Sequence, residues 1–257
     1  MKAMELIFAF LFGMAVGSFA NVAVHRVPLG MSVVSPRSAC PDCGTTLAWY
    51  DNIPLLSFVA LRGRCRSCGR RISLRYPLVE AAVGAVWAGM VLRIGIRPEL
   101  PAFLAFGTTL VILSAIDLEH HRLPDKVLGP AAVVAIVLLV PAAGIGRRWV
   151  PLEHAALGAL GYGLPMLVLG LAAPSAMGGG DVKFAPYLGL HLGWLGLRLV
   201  LTGALLGLIA GGLGGVALLI AGKKGMKDAI PFGPFMALGA LAAILLGPSA
   251  LRVWPGP

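Results

Sequence analysis

Acidic side chains are scarce in this chain. Eleven aspartates and glutamates stand among 257 residues, and charged residues of either sign make up only 12%. A chain this poor in charge, with 58% hydrophobic residues and a mean hydropathy of +0.88, is not an ordinary soluble domain. It reads as an integral membrane protein. The paired histidines of H-E-x-x-H are also missing. Glu119, His120 and His121 are adjacent, and adjacent residues do not share a helix face, which argues against a zinc peptidase. Ser18, Ser114 and Ser175 have no evident histidine and acid beside them in sequence to make a serine triad. No soluble nucleotide-binding fingerprint occurs. Acid-base chemistry must therefore draw on a handful of carboxylates.

What is abundant is apolar and small. Apolar runs cover about 4–24, 77–94, 99–116, 127–145, 152–173, 182–197, 199–222 and 231–250, with only Arg198 between the sixth and seventh. Runs of this length predict about eight transmembrane helices. The first is read as a spanning helix and not as a cleaved signal peptide, because it is longer than a typical signal core and basic residues follow it. The net charge of +10 is read as membrane topology and not as nucleic-acid binding. With the N-terminus outside, fourteen of the 21 lysines and arginines fall in cytoplasmic segments and seven outside. Gly203, Gly207, Gly211 and Gly215 recur every fourth residue, a stripe that lets another helix approach closely.

All four cysteines lie in one polar segment, residues 25–76, which also holds eight arginines against Asp42 and Asp51. Cys40-Pro-Asp-Cys43-Gly and Cys65-Arg-Ser-Cys68-Gly each offer two sulfurs from a tight turn. Four thiolates complete a closed tetrahedral zinc site that holds a loop-rich unit together, with no open position for catalysis. Disulfides would need an oxidising compartment, which the arginine content opposes. The predicted fold is an all-α polytopic membrane protein, with helix 1 at 1–24, a small cytoplasmic zinc-ribbon-like domain at 25–76, and about seven helices over 77–257.

Met177-Gly178-Gly179-Gly180-Asp181-Val-Lys183 joins two apolar runs, and a carboxylate at a membrane boundary is costly unless it has a task. Three glycines leave the backbone bare, so a substrate backbone can come close to Asp181. One aspartate cannot serve as both acid and base, so a partner is needed. Asp117 ends the third apolar run on the same predicted face and is the leading candidate. Asp125 follows Pro124 and reads as an N-cap of the next helix. Ile230-Pro-Phe-Gly-Pro-Phe235 reads as a broken helix entrance near the site. A transporter or a non-enzymatic assembly factor also accommodates intramembrane carboxylates and glycine breaks, but gives the cysteine segment no task beyond docking.

Gly178-Gly-Gly-Asp181 fits the GxGD signature of intramembrane aspartyl proteases, and the whole chain resembles the prepilin peptidase (type IV leader peptidase) family. The resemblance rests on Gly17-Ser-Phe-Ala-Asn-Val, both cysteine pairs, Asn52-Ile-Pro-Leu-Leu-Ser57, Ser73-Leu-Arg-Tyr-Pro-Leu-Val-Glu80, Asp117 to Asp125, and Ile230 to Gly239. Ala20 stands where a larger apolar residue is expected. The resemblance implies Asp117 and Asp181 as the catalytic pair, with Gly178, Gly179, Gly180, Lys183 and Asp125 shaping the site or meeting substrate. It implies cleavage of prepilins or pseudopilins after the glycine that ends a short basic leader, at the cytoplasmic face of the bacterial inner membrane. It also implies N-methylation of the exposed residue by S-adenosylmethionine, which no motif in the chain independently supports.

Overall fold

Backbone N–H and C=O groups in lipid find partners only within the chain, so apolar runs of spanning length become helices. The computed structural model describes residues 2–173, 177–221 and 230–247 and carries eight long helices near the expected positions. These are α1 (Lys2–Arg26), α3 (Arg75–Ile94), α4 (Leu100–His120), α5 (Asp125–Ile145), α6 (Val150–Ala172), α7 (Gly179–Leu195), α8 (Leu197–Ile220) and α9 (Gly233–Leu246); the polar segment adds the short α2 (Leu56–Ala60) and one 3-10 turn (Trp49–Asn52). Six of the eight are long and apolar enough to cross a membrane, whereas α7 has 17 residues and α9 only 14. At about 1.5 Å per residue, these two fall short of a hydrocarbon core of about 30 Å. Among the described residues no strand forms beyond two isolated bridges. Ser175, together with Lys223, Lys224, Lys227 and Arg252 of the charge count and the acid Asp228, lies outside the described residues.

Several helix ends differ from expectation for local reasons. The break between the sixth and seventh runs falls at Gly196, whose φ of +145° favours glycine, and not at Arg198. Helix α4 continues past the apolar run to His120, and His121 closes it in the left-handed region. Asp117 therefore sits inside the last turn, where it is buried, and not on a solvated end. Asp125 is not a cap. Pro124, fixed in extended backbone, takes the cap position without a side-chain bond, and Asp125 becomes the first helical residue.

Small residues set which helices touch. A methyl group on Gly17 would stand 2.8 Å from the Glu80 Cα and one on Gly13 2.9 Å from the Gly84 Cα, so α1 and α3 pack backbone to backbone. Gly158 of α6 meets Gly189 and Gly193 of α7 in the same way, and the glycine stripe of α8 receives α9 through Gly203, Gly207 and Gly239. Helix α4 runs through the middle, with Phe103, Phe106, Leu110, Leu113 and Ile116 fully buried. Large apolar side chains on α1, α5, α6 and α8 point outward, as lipid-facing surfaces require.

The helices place one set of ends together. Arg75 at the start of α3 pairs with Glu119 near the end of α4 at 2.7 Å, and Lys183 of α7 pairs with Asp125 of α5 at 2.8 Å. At the other end Arg93 donates to the Ile244 carbonyl and Arg148 pairs with Glu99. The cysteine segment, Asp117 and Asp181 all belong to the first set.

Candidate active site

Three short chain segments converge at Asp117. Its Oδ2 accepts a hydrogen bond of 3.0 Å from the Gly233 amide, the first residue of α9. The turn Ile230-Pro-Phe-Gly-Pro-Phe235 thus aims a helix N-terminus at a carboxylate, the polarity that an anion prefers. A methyl group on Gly233 would stand 2.8 Å from that same oxygen. Leu123, from the link between α4 and α5, packs in the same place. A methyl on Gly180 would meet its Cβ at 2.9 Å, and one on Gly233 its Cδ2 at 3.1 Å. Gly180 and Gly233 are therefore small because Leu123 fills the room between them.

Asp181 lies in the first turn of α7, with its amide on the Gly178 carbonyl. It is within electrostatic reach of Asp117 from one side and of the Tyr162 hydroxyl of α6 from the other. Gly178 is also confined, its missing methyl 3.1 Å from the Asp181 Oδ2, whereas Gly179 faces open space. Gly180, and less tightly Gly178, are thus confined by contact and the middle glycine is not, which is the spacing of G-x-G-D. Phe106 of α4 stacks on His191 of α7 at 4.0 Å between centroids, with Tyr187 edge-on, and this ring cluster joins the two aspartate-bearing helices deeper in the bundle.

Lys183 and Asp125 do not reach the aspartates but pair with each other, Nζ bonding both carboxylate oxygens at 3.0 and 2.8 Å. Their side chains are 59% and 68% exposed, so the pair is a screened surface contact spanning α5 and α7. Glu119, the fourth acid named in this region, is committed to Arg75. The sequence reading passed over Leu123, Tyr162 and the Gly233 amide. Only the last had a signal, the Pro-Phe-Gly-Pro break.

The four sulfurs also come together. Both C-x-x-C-G turns close alike: the Gly44 amide returns to the Cys40 carbonyl and Gly69 to Cys65, each glycine at φ near +70°. All four cysteines are free and their ligand atoms lie within 4.8 Å of one another, with Cys40 and Cys68 at 3.9 Å. A zinc ion with Zn–S bonds of about 2.3 Å would need S···S edges of about 3.8 Å, so a small contraction gives a tetrahedral site. Thr45 pushes the Cys43 thiol down to about 6. Although the Arg70 amide favours its thiolate, burial and three neighbouring thiols push Cys68 up to about 12. Four sulfurs this close can all ionise only around a cation, which a metal supplies.

Above the α1–α3 contact, the cysteine segment encloses a cavity of about 400 Å³ bordered by Ser18, Asn21, Asn52, Tyr76 and Glu80. Arg75 reaches its mouth, and Asp51 holds Arg66 across its roof, keeping that guanidinium firmly protonated. The residues that carry it belong to one stretch of sequence.

Comparison with known proteins follows the same division. Residues 11–94 match the bacterial peptidase A24 N-terminal domain and residues 104–220 match the type IV leader peptidase family. The first match takes α1, the cysteine segment and α3 together, as the glycine packing does, where the sequence reading divides at residue 76. A Myxococcus xanthus protein named prepilin leader peptidase/N-methyltransferase is 36% identical, over 97% of this chain and 92% of its own length. Proteins of the same name from Burkholderia pseudomallei (35%; 95% of this chain, 86% of that protein) and Bacillus subtilis (32%; 95% and 96%) are similarly related. No solved structure matches. By length, identity and both family regions, the chain belongs to the type IV leader peptidase family.

Proposed function

We propose that this protein is a membrane-embedded aspartyl endopeptidase that removes the short basic leader of type IV prepilins or pseudopilins, and that it N-methylates the new N-terminus. The observation that carries the peptidase reading is the convergence of Asp117 and Asp181 at one end of the bundle, with a helix amide aimed at one carboxylate and bare glycine backbone before the other. The relatives' shared name supports the pairing with methyl transfer.

Two neighbouring carboxylates share a proton, because both cannot ionise cheaply. The charged member takes a proton from water as its oxygen attacks the scissile carbonyl, and the protonated member gives its proton to the carbonyl oxygen. Collapse breaks the C–N bond: the departing amine takes a proton from the dyad while one hydroxyl of the tetrahedral diol returns its proton to the other carboxylate, so the pair returns to its starting state. The titration belongs to the pair. The open side of Gly179 leaves room for an extended peptide beside Asp181, and the Lys183–Asp125 pair borders that approach.

Cys40, Cys43, Cys65 and Cys68 would hold a structural zinc, in keeping with the fit of their sulfurs. S-adenosylmethionine would supply an activated methyl group. The cavity between α1, α3 and the cysteine segment has a suitable size for such a molecule and offers both carboxylate and guanidinium groups to its charges. The excess of basic residues in the segments at this end supports a cytoplasmic location for it in a bacterial inner membrane, with the N-terminus outside.

The test is cleavage of a model prepilin in detergent at neutral pH by wild type, Asp117→Asn and Asp181→Asn, with folding checked by thermal melting. Loss in both single variants supports the dyad. Activity retained by either one removes that residue from it.

A further inference from the structure

Glu80 is an acid inside a spanning helix with no part in the dyad. Such a group is costly without a task. It is buried, yet it borders the cavity beneath the cysteine segment. Its Oε2 accepts the Leu55 amide at 3.0 Å, and the Ser18 hydroxyl bonds the same carboxylate. Leu55 itself has φ +56° and ψ −45°, in a tight turn where Leu56 bonds back to Pro54. This is the rare, strained hand of γ-turn, and strain of this kind gathers at functional sites. Glu80 thus fixes a strained rim over the cavity.

Asn21 lies beside it, on the facing side of α1, and is 3% exposed. Its Nδ2 donates to the Tyr76 carbonyl at 3.0 Å, which settles the orientation of the amide. The Oδ1 is left buried with no partner of its own, in a residue that borders the cavity. A buried acceptor without a donor keeps the full cost of its lost hydration and calls for an explanation. A carboxylate and an amide oxygen that both accept, side by side at the floor of a cavity, suit a ligand rich in N–H.

We propose that this cavity is a second reaction site, in which Glu80 and Asn21 receive the α-amino group of the peptide for methyl transfer. The inference rests on the methyltransferase part of the proposed function and names the residues that would carry it. The incoming ammonium places its N–H groups on Glu80 and Asn21 Oδ1, and Ser18 steadies the carboxylate. Glu80 takes one proton, freeing the nitrogen lone pair. That pair forms the new N–C bond to the methyl carbon of a sulfonium donor while the C–S bond breaks and its electrons stay on sulfur. The products are a methylated amine and a neutral thioether. The site lies on α1 and α3, apart from the dyad on α4 and α7, so the peptide passes from one to the other.

The experiment supplies the peptide already cut, so it does not depend on the dyad, and its failure is distinct from failure of the peptidase reading. Full-length protein in detergent is given a peptide beginning with phenylalanine, or the same peptide N-acetylated, and binding is read by fluorescence anisotropy. Methyl transfer to the free peptide is read with labelled S-adenosylmethionine, and prepilin cleavage is measured in parallel. Wild type should bind the free amine at least about tenfold more tightly than the acetylated peptide, the worth of one charged hydrogen bond. Glu80→Gln should erase that preference and lower methyl transfer about 100-fold, with cleavage within about twofold. Should Glu80→Gln fail to fold, Ser18→Ala takes its place, with about a tenfold loss of transfer expected. A folded Glu80→Gln or Ser18→Ala that keeps both amine preference and transfer overturns the proposal, as does a wild type that cleaves but shows no amine preference.

Discussion

Replacing Gly233 by alanine puts a methyl group in place of a hydrogen at the point where α9 meets Asp117. The added carbon would stand 2.8 Å from the Asp117 Oδ2 and 3.1 Å from the Leu123 Cδ2. Real carbon–oxygen contacts are longer, so the carboxylate or the start of α9 must give by several tenths of an ångström. Leu123 is itself held against Gly180, so the carboxylate moves more easily than the wall. The shift lengthens the 3.0 Å bond from the Gly233 amide, a charge-assisted contact worth about 1.5–3 kcal/mol. Misplacing a catalytic group by about 1 Å costs on the order of 100-fold. Alanine meanwhile favours the helix by up to about 1 kcal/mol over glycine, so global stability should hold. The expectation is a fall in kcat for prepilin cleavage of about 10- to 100-fold, with KM and melting temperature nearly unchanged. Gly179→Ala is the control, since its added methyl meets nothing within 4 Å and should leave cleavage within about twofold. A Gly233→Ala enzyme as fast as wild type would refute the positioning of Asp117 by α9. Equal losses in both variants would refute the spatial reading of the glycines.

Other outcomes follow from single contacts. Gly180→Val should be worse than Gly180→Ala, since the added branch drives further into Leu123, and cleavage rates of the two with their melting curves check the order. Purified protein should carry about one zinc per chain by elemental analysis, and Cys40→Ser should lose it. That variant should lose yield or methyl transfer more than peptide cleavage, because the cysteines lie with the cavity and not with the dyad; equal loss of both activities in folded protein would contradict this. Lys183→Ala should cost less than about 1 kcal/mol of stability, because both partners of its ion pair are exposed, and added salt should narrow the difference further. An unchanged substrate affinity in the same variant would remove Lys183 from the substrate path.

The long helices were legible because lipid leaves the backbone no alternative, and run length alone gives six of them, whereas α7 and α9 are shorter and the α7–α8 break turns on Gly196. The cysteine quartet was legible too, since two C-x-x-C-G turns carry their own geometry. What could not be read were contacts between segments far apart in the chain. The distance of Asp117 to Gly233 is 116 residues, and only the folded bundle reveals that a glycine amide faces a carboxylate there. Asp125 misled for a local reason: a residue after proline resembles a cap, but proline itself took that position. Lys183 gave no hint of its partner because an exposed lysine leaves no pattern in its own helix. Glu80 entered the sequence reading only as part of a family motif, and its meaning depended on Leu55 and Asn21, which belong to other elements.

The stacked rings of Phe106 and His191 have a mechanical consequence. The backbones of α4 and α7 scarcely approach each other, and it is these two rings, 4.0 Å apart, that stand between them. They act as a gauge block whose thickness sets the gap between two jaws, each jaw bearing one aspartate near its tip. Glycine contacts clamp α7 to α6 and cannot be adjusted; a ring can be exchanged for a thinner or bulkier side chain. Exchanging Phe106 for a thinner or bulkier side chain should therefore change the spacing of the two carboxylates from a fully buried position.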